Sequence, residues 1–267
     1  MRAEDAHTRI RPAGVTALEI WDLEVRGETL FAARDEPDFG ARLAEGIEAI
    51  RRGEARTRSR ITLPDACREI DAIFAAGGGV SAAVEAALRG IGLEFHRGDA
   101  FAGEAGGLDL LDAVGARSGL VVDVGQSAIK ISARAGRRRI PRDFERLPIT
   151  GPLGDRGDPR DPFRSFVAGA VAAAMREFGE ADAIVLALPA ELDDAGCPEG
   201  SSYPGLQGDR ELAAEVLARA GIPGARAILL NDAELAALSA KRVVPARSTA
   251  LVVTIGFGIG GALLLPR

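Results

Sequence analysis

At 267 residues the chain is long enough to bury one large core or two smaller ones. A net charge of −6 and only 4% aromatic residues exclude a global basic field for nucleic acid or anionic lipid and leave few rings for stacking on single strands. No apolar run reaches the roughly 18 residues of a membrane span, the charged start MRAEDAHTRI has no apolar signal core, and the isolated Cys67 and Cys197 read as reduced thiols of a cytoplasmic protein.

Hydrophobic period and chain breakers divide the sequence in order. TALEIWDLEV (16–25) alternates apolar and polar residues and predicts a strand. ARLAEGIEAIRR (41–52) has helical spacing, and RRGEARTRSR (51–60) is a polar loop, better read as a solvated linker than as a binding patch. IDAIFAA (70–76) predicts a buried strand, GGG (77–79) a turn, and SAAVEAALRGIG (81–92) a helix capped by Ser81. AGEAGGLDLLDAVG (102–115) predicts a further helix.

A new unit is expected from about Ser118. GLVVDVG (119–125) and SAIKISAR (127–134) form strands joined by a tight turn, and RRRIPRDFERLPI (137–149) holds a third. GPLGDRGDPRDP (151–162) is a polar loop of a length that suits either a linker or a mobile lid. PFRSFVAGAVAAAMREFG (162–179) is an amphipathic helix, AIVLALP (183–189) a buried strand, and DRELAAEVLARAG (209–221) a helix closed by glycine. RAILLND (226–232) is a strand that runs directly into the helix AELAALSAKR (233–242), and TALVVTIG (249–256) and GGALLLP (260–266) are strands around a glycine turn.

Three strands thus end at glycine turns, where backbone can approach a ligand closely. GFGIGG (256–261) satisfies G-x-G-x-x-G, but a strand follows it where a dinucleotide fold needs a helix. No Walker A loop exists, because Lys130 is followed by Ile131 and Lys241 by Arg242. In VVDVGQSAIKIS, Asp123 ends a buried strand and must be satisfied by a cation or by donors. Two uses stand: a carboxylate for Mg²⁺ beside a phosphate turn, or an Asp-Gly hairpin of structural purpose.

DVGQSAIK resembles the first phosphate motif of the sugar-kinase/heat-shock-protein/actin superfamily, VVTIGFGIGGALL its second phosphate motif, and IDAIFAAGGGVS its adenosine motif. AIVLALPAELDDAGCPEG and GDRELAAEVLARAGIPGARAILLNDAELAALSA resemble stretches of the ROK family of repressors and sugar kinases within it. The resemblance covers most of residues 70–267. It implies an α/β, two-lobed actin-like ATPase with ribonuclease H-like lobes and mixed sheets. The adenosine motif precedes the first phosphate motif here, the reverse of the family order; circular permutation is the simplest account, with a duplication or a chance glycine run as the alternatives. The implied lobes are 1–116 plus 243–267 for nucleotide binding, and 117–242 for the first phosphate motif and the catalytic aspartate.

The resemblance further implies ATP-dependent phosphoryl transfer to a hydroxyl of a sugar or sugar-like molecule. ATP would meet Asp123, Gly125, Gln126, Ser127, Lys130, Thr254, Gly256, Gly258, Gly260, Gly77, Gly78 and Gly79, with Asp123 also on Mg²⁺. Asp232 is the implied general base, and Asn231, Glu19 and Pro189 the substrate residues; for the Asn-Asp pair a helix N-cap is the other reading. Glu19 comes from laying TALEIWDLEV on the family's sugar-holding segment, with Asp22 at its histidine; an ordinary edge strand is the alternative. Gln126 replaces a family glycine, Ala190 another, and the family's zinc cysteines are missing, so no zinc is expected. Partners implied are a small-molecule substrate and a second copy in a homodimer, with neither nucleic acid nor membrane. A nucleotide-binding regulator or assembly ATPase of the same fold is the competing function.

Overall fold

The computed structural model describes residues 7–145, 147, 160–199, 203 and 205–267. The expected polar loop lies outside them from 151 to 159, and its last residues open a helix. In chain order the elements begin with β1 (His7–Arg9), β2 (Val15–Leu18), β3 (Glu24–Val25), β4 (Glu28–Thr29), α1 (Phe39–Arg52), β5 (Ile70–Ala76), α2 (Ala82–Gly90), β6 (Glu94–Arg97) and α3 (Glu104–Ala113). There follow β7 (Gly119–Val124), β8 (Ala128–Ala133), β9 (Gly136–Pro141), α4 (Asp161–Phe178), β10 (Ala183–Leu188), β11 (Glu191–Leu192) and β12 (Pro198–Glu199). The chain closes with α5 (Leu212–Arg219), β13 (Arg226–Asn231), α6 (Asp232–Ala240), β14 (Thr249–Ile255) and β15 (Ile259–Leu264).

The chain forms two compact units, Met1–Arg11 with Gly103–Leu235, and Pro12–Ala102 with Ala236–Arg267. The implied lobes break at 116 and 242, so residues 1–11, 103–116 and 236–242 fall in the other unit from the one expected. In the first unit the sheet order is β1-β13-β10-β7-β8-β9; β7, β8 and β9 are antiparallel, and β7, β10, β13 and β1 run parallel. Every residue of β10 is buried, as expected for a parallel strand covered on both faces. One face packs Val122, Ile184 and Leu186 against Phe163 and Val171 of α4 and Val216 of α5. On the other face α3 lies close to β7, since a Cβ at Gly107 would stand 2.6 Å from Val121 Cγ1.

The second unit has the sheet order β2-β15-β14-β5-β6. Its β14, β15 and β2 are antiparallel while β14, β5 and β6 run parallel, so order and direction repeat those of β9-β8-β7-β10-β13. Leu43 and Ile47 of α1 and Leu88 of α2 pack with Ile73, Leu251 and Val253 in its core. The last strand of this sheet in sequence pairs with its first. Gly261 through Leu264 pair with Leu18 through Val15, and the Leu265 N–H donates to Gly14 O at 2.7 Å.

The strand expected at 16–25 is interrupted. A 3₁₀ turn at Ile20–Asp22 separates β2 from the β3–β4 ribbon. Asp22 is the reason: it is 2% exposed, and its carboxylate accepts the Ser59 N–H at 2.7 Å. Satisfying that buried carboxylate turns the chain away from β15. Among the described residues no helix is long and apolar enough to cross a membrane.

Candidate functional site

The apolar strands β7, β10 and β13 each run to their first polar or proline residue at one sheet edge. Register places Asp123 beside Ala187 and Leu188 beside Asn231, so Asp123, Pro189 and the Asn231–Asp232 pair share the carboxyl edge of three parallel strands. Open α/β sheets bind ligands at that edge.

Asp123 faces Lys130 across the β7–β8 hairpin, and the Lys130 Nζ lies 2.8 Å from Asp123 Oδ2 with both side chains half-buried. The pair satisfies the strand-end carboxylate within the protein. It leaves Oδ1 for a further partner. One or two carboxylates are what Mg²⁺ takes when phosphates supply its other ligands, so Asp123 fits a Mg²⁺ that arrives with a nucleotide. Among the described residues no group of three or more His, Cys, Asp or Glu is placed to hold a metal by itself.

Asn231 caps α6. Its Oδ1 accepts the Ala233 N–H at 2.9 Å, its Nδ2 donates to Ala190 O at 2.9 Å, and its own N–H donates to Glu234 Oε2 at 2.8 Å. Glu234, at the third helical position, reaches back to the cap as in a capping box, while the Asn231 side chain caps the N–H of the second position. Both ends of the Asn231 amide therefore serve the protein, which leaves one donor hydrogen and one lone pair for a substrate. Asp232, one residue on, shares the Ala233 N–H through Oδ1 at 2.8 Å, and its Oδ2 has no partner among the described residues.

Asp232 keeps a partly exposed surface, yet burial first, and then the charge of Asp123, push its carboxyl up to about 7, against a smaller opposing effect of Lys130. A carboxyl set in dense surroundings and reached by water from one side accounts for both observations.

The turn between β7 and β8 is held by residues that no local pattern announced. The Tyr203 hydroxyl donates to Gly125 O at 2.6 Å, Arg142 Nη1 donates to Gln126 O at 3.0 Å, and the Arg142 N–H donates to Ser127 O at 2.9 Å. In a trans peptide the carbonyl and the next N–H point to opposite sides, and no cis bond occurs here. Tying back the carbonyls of Gly125 and Gln126 therefore aims the N–H groups of Gln126 and Ser127 away from Tyr203 and Arg142. Neither N–H has an acceptor among the described residues. Two outward amides on a glycine turn make a small anion nest.

Arg142 is 4% exposed, stacks 3.8 Å from the Tyr203 ring and donates through Nε to Leu147 O at 2.7 Å. Burial raises the Tyr203 hydroxyl to about 12, so it stays a donor at any ordinary pH. The Gln126 Oε1 is buried without a partner among the described residues; the amide turned over would offer Nε2 as a third donor at that point. One sequence signal for Tyr203 existed: it is the single tyrosine of an aromatic-poor chain.

In the second unit Thr254 faces Gly260, and the Gly256 N–H donates to Gly258 O at 2.9 Å, closing the β14–β15 turn. The guanidinium of Arg34 lies 4.8 Å over the Phe257 ring at its tip. Gly77 (φ +103°) and Gly79 are pressed on the end of β14: a Cβ would come 2.2 Å from Ile255 O and 2.5 Å from Ile255 Cγ2, respectively. The Gly79 N–H donates to Ile255 O at 2.8 Å, while Gly78 faces open space. Glu19 also belongs to this unit, half-buried at the start of the Ile20–Asp22 turn. The structure thus gathers Asp123, Lys130, Asn231 and Asp232 at one edge, and Thr254, Gly256, Gly258, Gly260 and Gly77–Gly79 around another. Both cysteines are free and buried, and burial pushes the Cys67 thiol up to about 11. Compared with known proteins, the chain matches no family model and no curated protein sequence.

Proposed function

We propose that the protein is an ATP-dependent kinase that phosphorylates a hydroxyl of a sugar or sugar-like small molecule, with Asp232 as general base. The observation that carries this is Asp232 itself: a carboxyl raised to about 7, with one oxygen unengaged, at the strand edge that also holds Asp123. A base is most effective when its pKa lies near the working pH. The acceptor hydroxyl oxygen would attack the γ-phosphorus, the bond to the bridging oxygen of ADP would break, and the hydroxyl proton would pass to Asp232.

The outward amides of Gln126 and Ser127 would hold phosphate oxygens, and Asp123 would hold Mg²⁺. The Gly256–Gly258 turn is assigned the same duty within its own unit, with Gly77–Gly79 for the adenosine. Asn231 holds the start of α6 and the Pro189–Ala190 turn in place, with its remaining donor for the substrate.

For the fold we propose a circularly permuted, actin-like pair of ribonuclease H-like lobes. Its support is the repeated strand order, and the pairing of β15, late in the sequence, with β2, early in it, where the corresponding β8 and β9 are consecutive. The free, buried cysteines support a reducing compartment such as the cytoplasm.

A screen of ATP turnover against sugars, amino sugars and cyclitols tests the function, with Asp232→Asn beside the wild type. Acceptor-dependent ADP release that the substitution abolishes is the expected result. Nucleotide binding with no acceptor, or equal activity in both proteins, rejects the kinase in favour of a regulator.

A further inference from the structure

We infer that Arg9 is a positioning residue for Asp232, so that the N-terminal strand is part of the machinery around the candidate base. The inference rests on the reading of Asp232 above. β1 is only three residues long and joins the sheet edge beside β13, with Arg9 level with Leu229. From there its side chain crosses to the first turn of α6. Nη1 lies 2.8 Å from Glu234 Oε2, and Nη2 lies 2.7 Å from Glu234 Oε1. The two side chains are 7% and 4% exposed.

Glu234 Oε2 is the same oxygen that accepts the Asn231 N–H. One guanidinium therefore fixes one carboxylate, which fixes the residue before Asp232, while Asn231 fixes the residue after it through the Ala233 N–H. Asp232 sits between two restrained neighbours. A planar fork meeting a carboxylate at two points sets orientation as well as distance, which a lysine or an apolar side chain cannot do. Stability alone does not call for such a pair, because buried ion pairs are commonly replaced by apolar residues at little loss. What an apolar pair cannot replace is the carboxylate oxygen that takes the Asn231 N–H.

The test compares Arg9→Met, the double variant R9M/E234M, and Arg164→Met. The last breaks another buried pair of the same unit, Arg164 with Asp209, exposed by 6% and 1%. Three quantities are read on the full chain: amide exchange at Asn231 and Ala233, affinity for a fluorescent ATP analogue, and acceptor-dependent phosphoryl transfer. In Arg9→Met, exchange at those two amides should rise at least about tenfold, and kcat should fall about tenfold with nucleotide affinity within about twofold. R9M/E234M should recover thermal stability without recovering kcat or the slow exchange. Arg164→Met should lose stability without selective exchange at Asn231 and Ala233.

Unchanged exchange at both amides in Arg9→Met, or a double variant that recovers kcat together with stability, overturns the inference. A wild type that transfers no phosphoryl group to any acceptor overturns the kinase reading alone. The exchange contrast between Arg9→Met and Arg164→Met then still decides whether Arg9 places Asp232.

Discussion

At the central strand of each sheet the residues beside the glycine turn differ: Asp123 faces Lys130 across β7–β8, whereas Thr254 faces Gly260 across β14–β15. The strand order around them is the same. In the first unit the turn carries charge beside it, and its carbonyls are tied back by Tyr203 and Arg142. In the second it carries small residues, and Gly77 and Gly79 lie directly on Ile255. One scaffold thus serves two purposes, charge and donors at one turn and close backbone approach at the other. The difference also says where substitutions should act: on chemistry in the first unit, on packing in the second.

The largest effect should come from Asp232→Asn, which would remove the proposed proton acceptor and leave the amides of Gln126 and Ser127 untouched. Steady-state assays should show kcat lower by at least about 100-fold, with nucleotide affinity changed by less than about threefold. Equal losses in kcat and in affinity would blur the contrast between a base and a phosphate turn.

Next is packing in the second unit. Gly77→Ala puts a Cβ against a backbone oxygen at a positive φ and should destabilise by about 2–4 kcal/mol in denaturant unfolding. Gly78→Ala, facing open space, should stay within about 0.5 kcal/mol. Similar losses at both positions would mean that backbone freedom, and not contact with Ile255, governs this turn.

Tyr203→Phe keeps the ring stacked on Arg142 and removes the hydroxyl, which donates to Gly125 O and also meets the Arg142 side chain. A stability loss of about 1 kcal/mol is expected, with a three- to tenfold weaker affinity for an ATP analogue by titration. A stability loss with unaltered affinity would show that the turn keeps its shape without this bond.

A further effect is on stability against pH. The folded-state pKa of Asp232, about 7, lies above its ordinary value of 3.8. The folded state therefore keeps a proton that the unfolded chain releases, and stability attributable to this group falls as pH rises from about 4 to about 7, then levels off. Asp232→Asn should remove that slope, raising the melting temperature relative to wild type at pH 8 by a few degrees and at pH 4 hardly at all.

Much of the fold was legible because the central strands are continuous apolar runs ended by glycine or proline. AIVLAL and ALVVTI have no other plausible use, and Ser81 caps α2 as its sequence indicates, its Oγ accepting the Val84 N–H. What escaped notice is held together by distant partners. β1 is three residues with no period of its own, and it forms because β13 offers an edge. Arg9 and Glu234 are separated by 225 positions, so no window of sequence connects them. Asp22 keeps the alternation of a strand while its carboxylate turns the chain toward Ser59. At the candidate site Asp123 and Asp232 were readable from their place at strand ends. The restraint on the Gly125–Ser127 turn was not, since Arg142 and Tyr203 act through their side chains on backbone carbonyls.

The central claim is that Asp232 takes a proton during phosphoryl transfer. The most direct measurement is the pH dependence of acceptor-dependent kcat from pH 5 to 9 in wild type and Asp232→Asn. Wild-type kcat should rise tenfold per pH unit below the apparent pKa of the base in the bound complex and level off above it, while the variant shows a small rate without that inflection. The same inflection in both proteins would contradict the account.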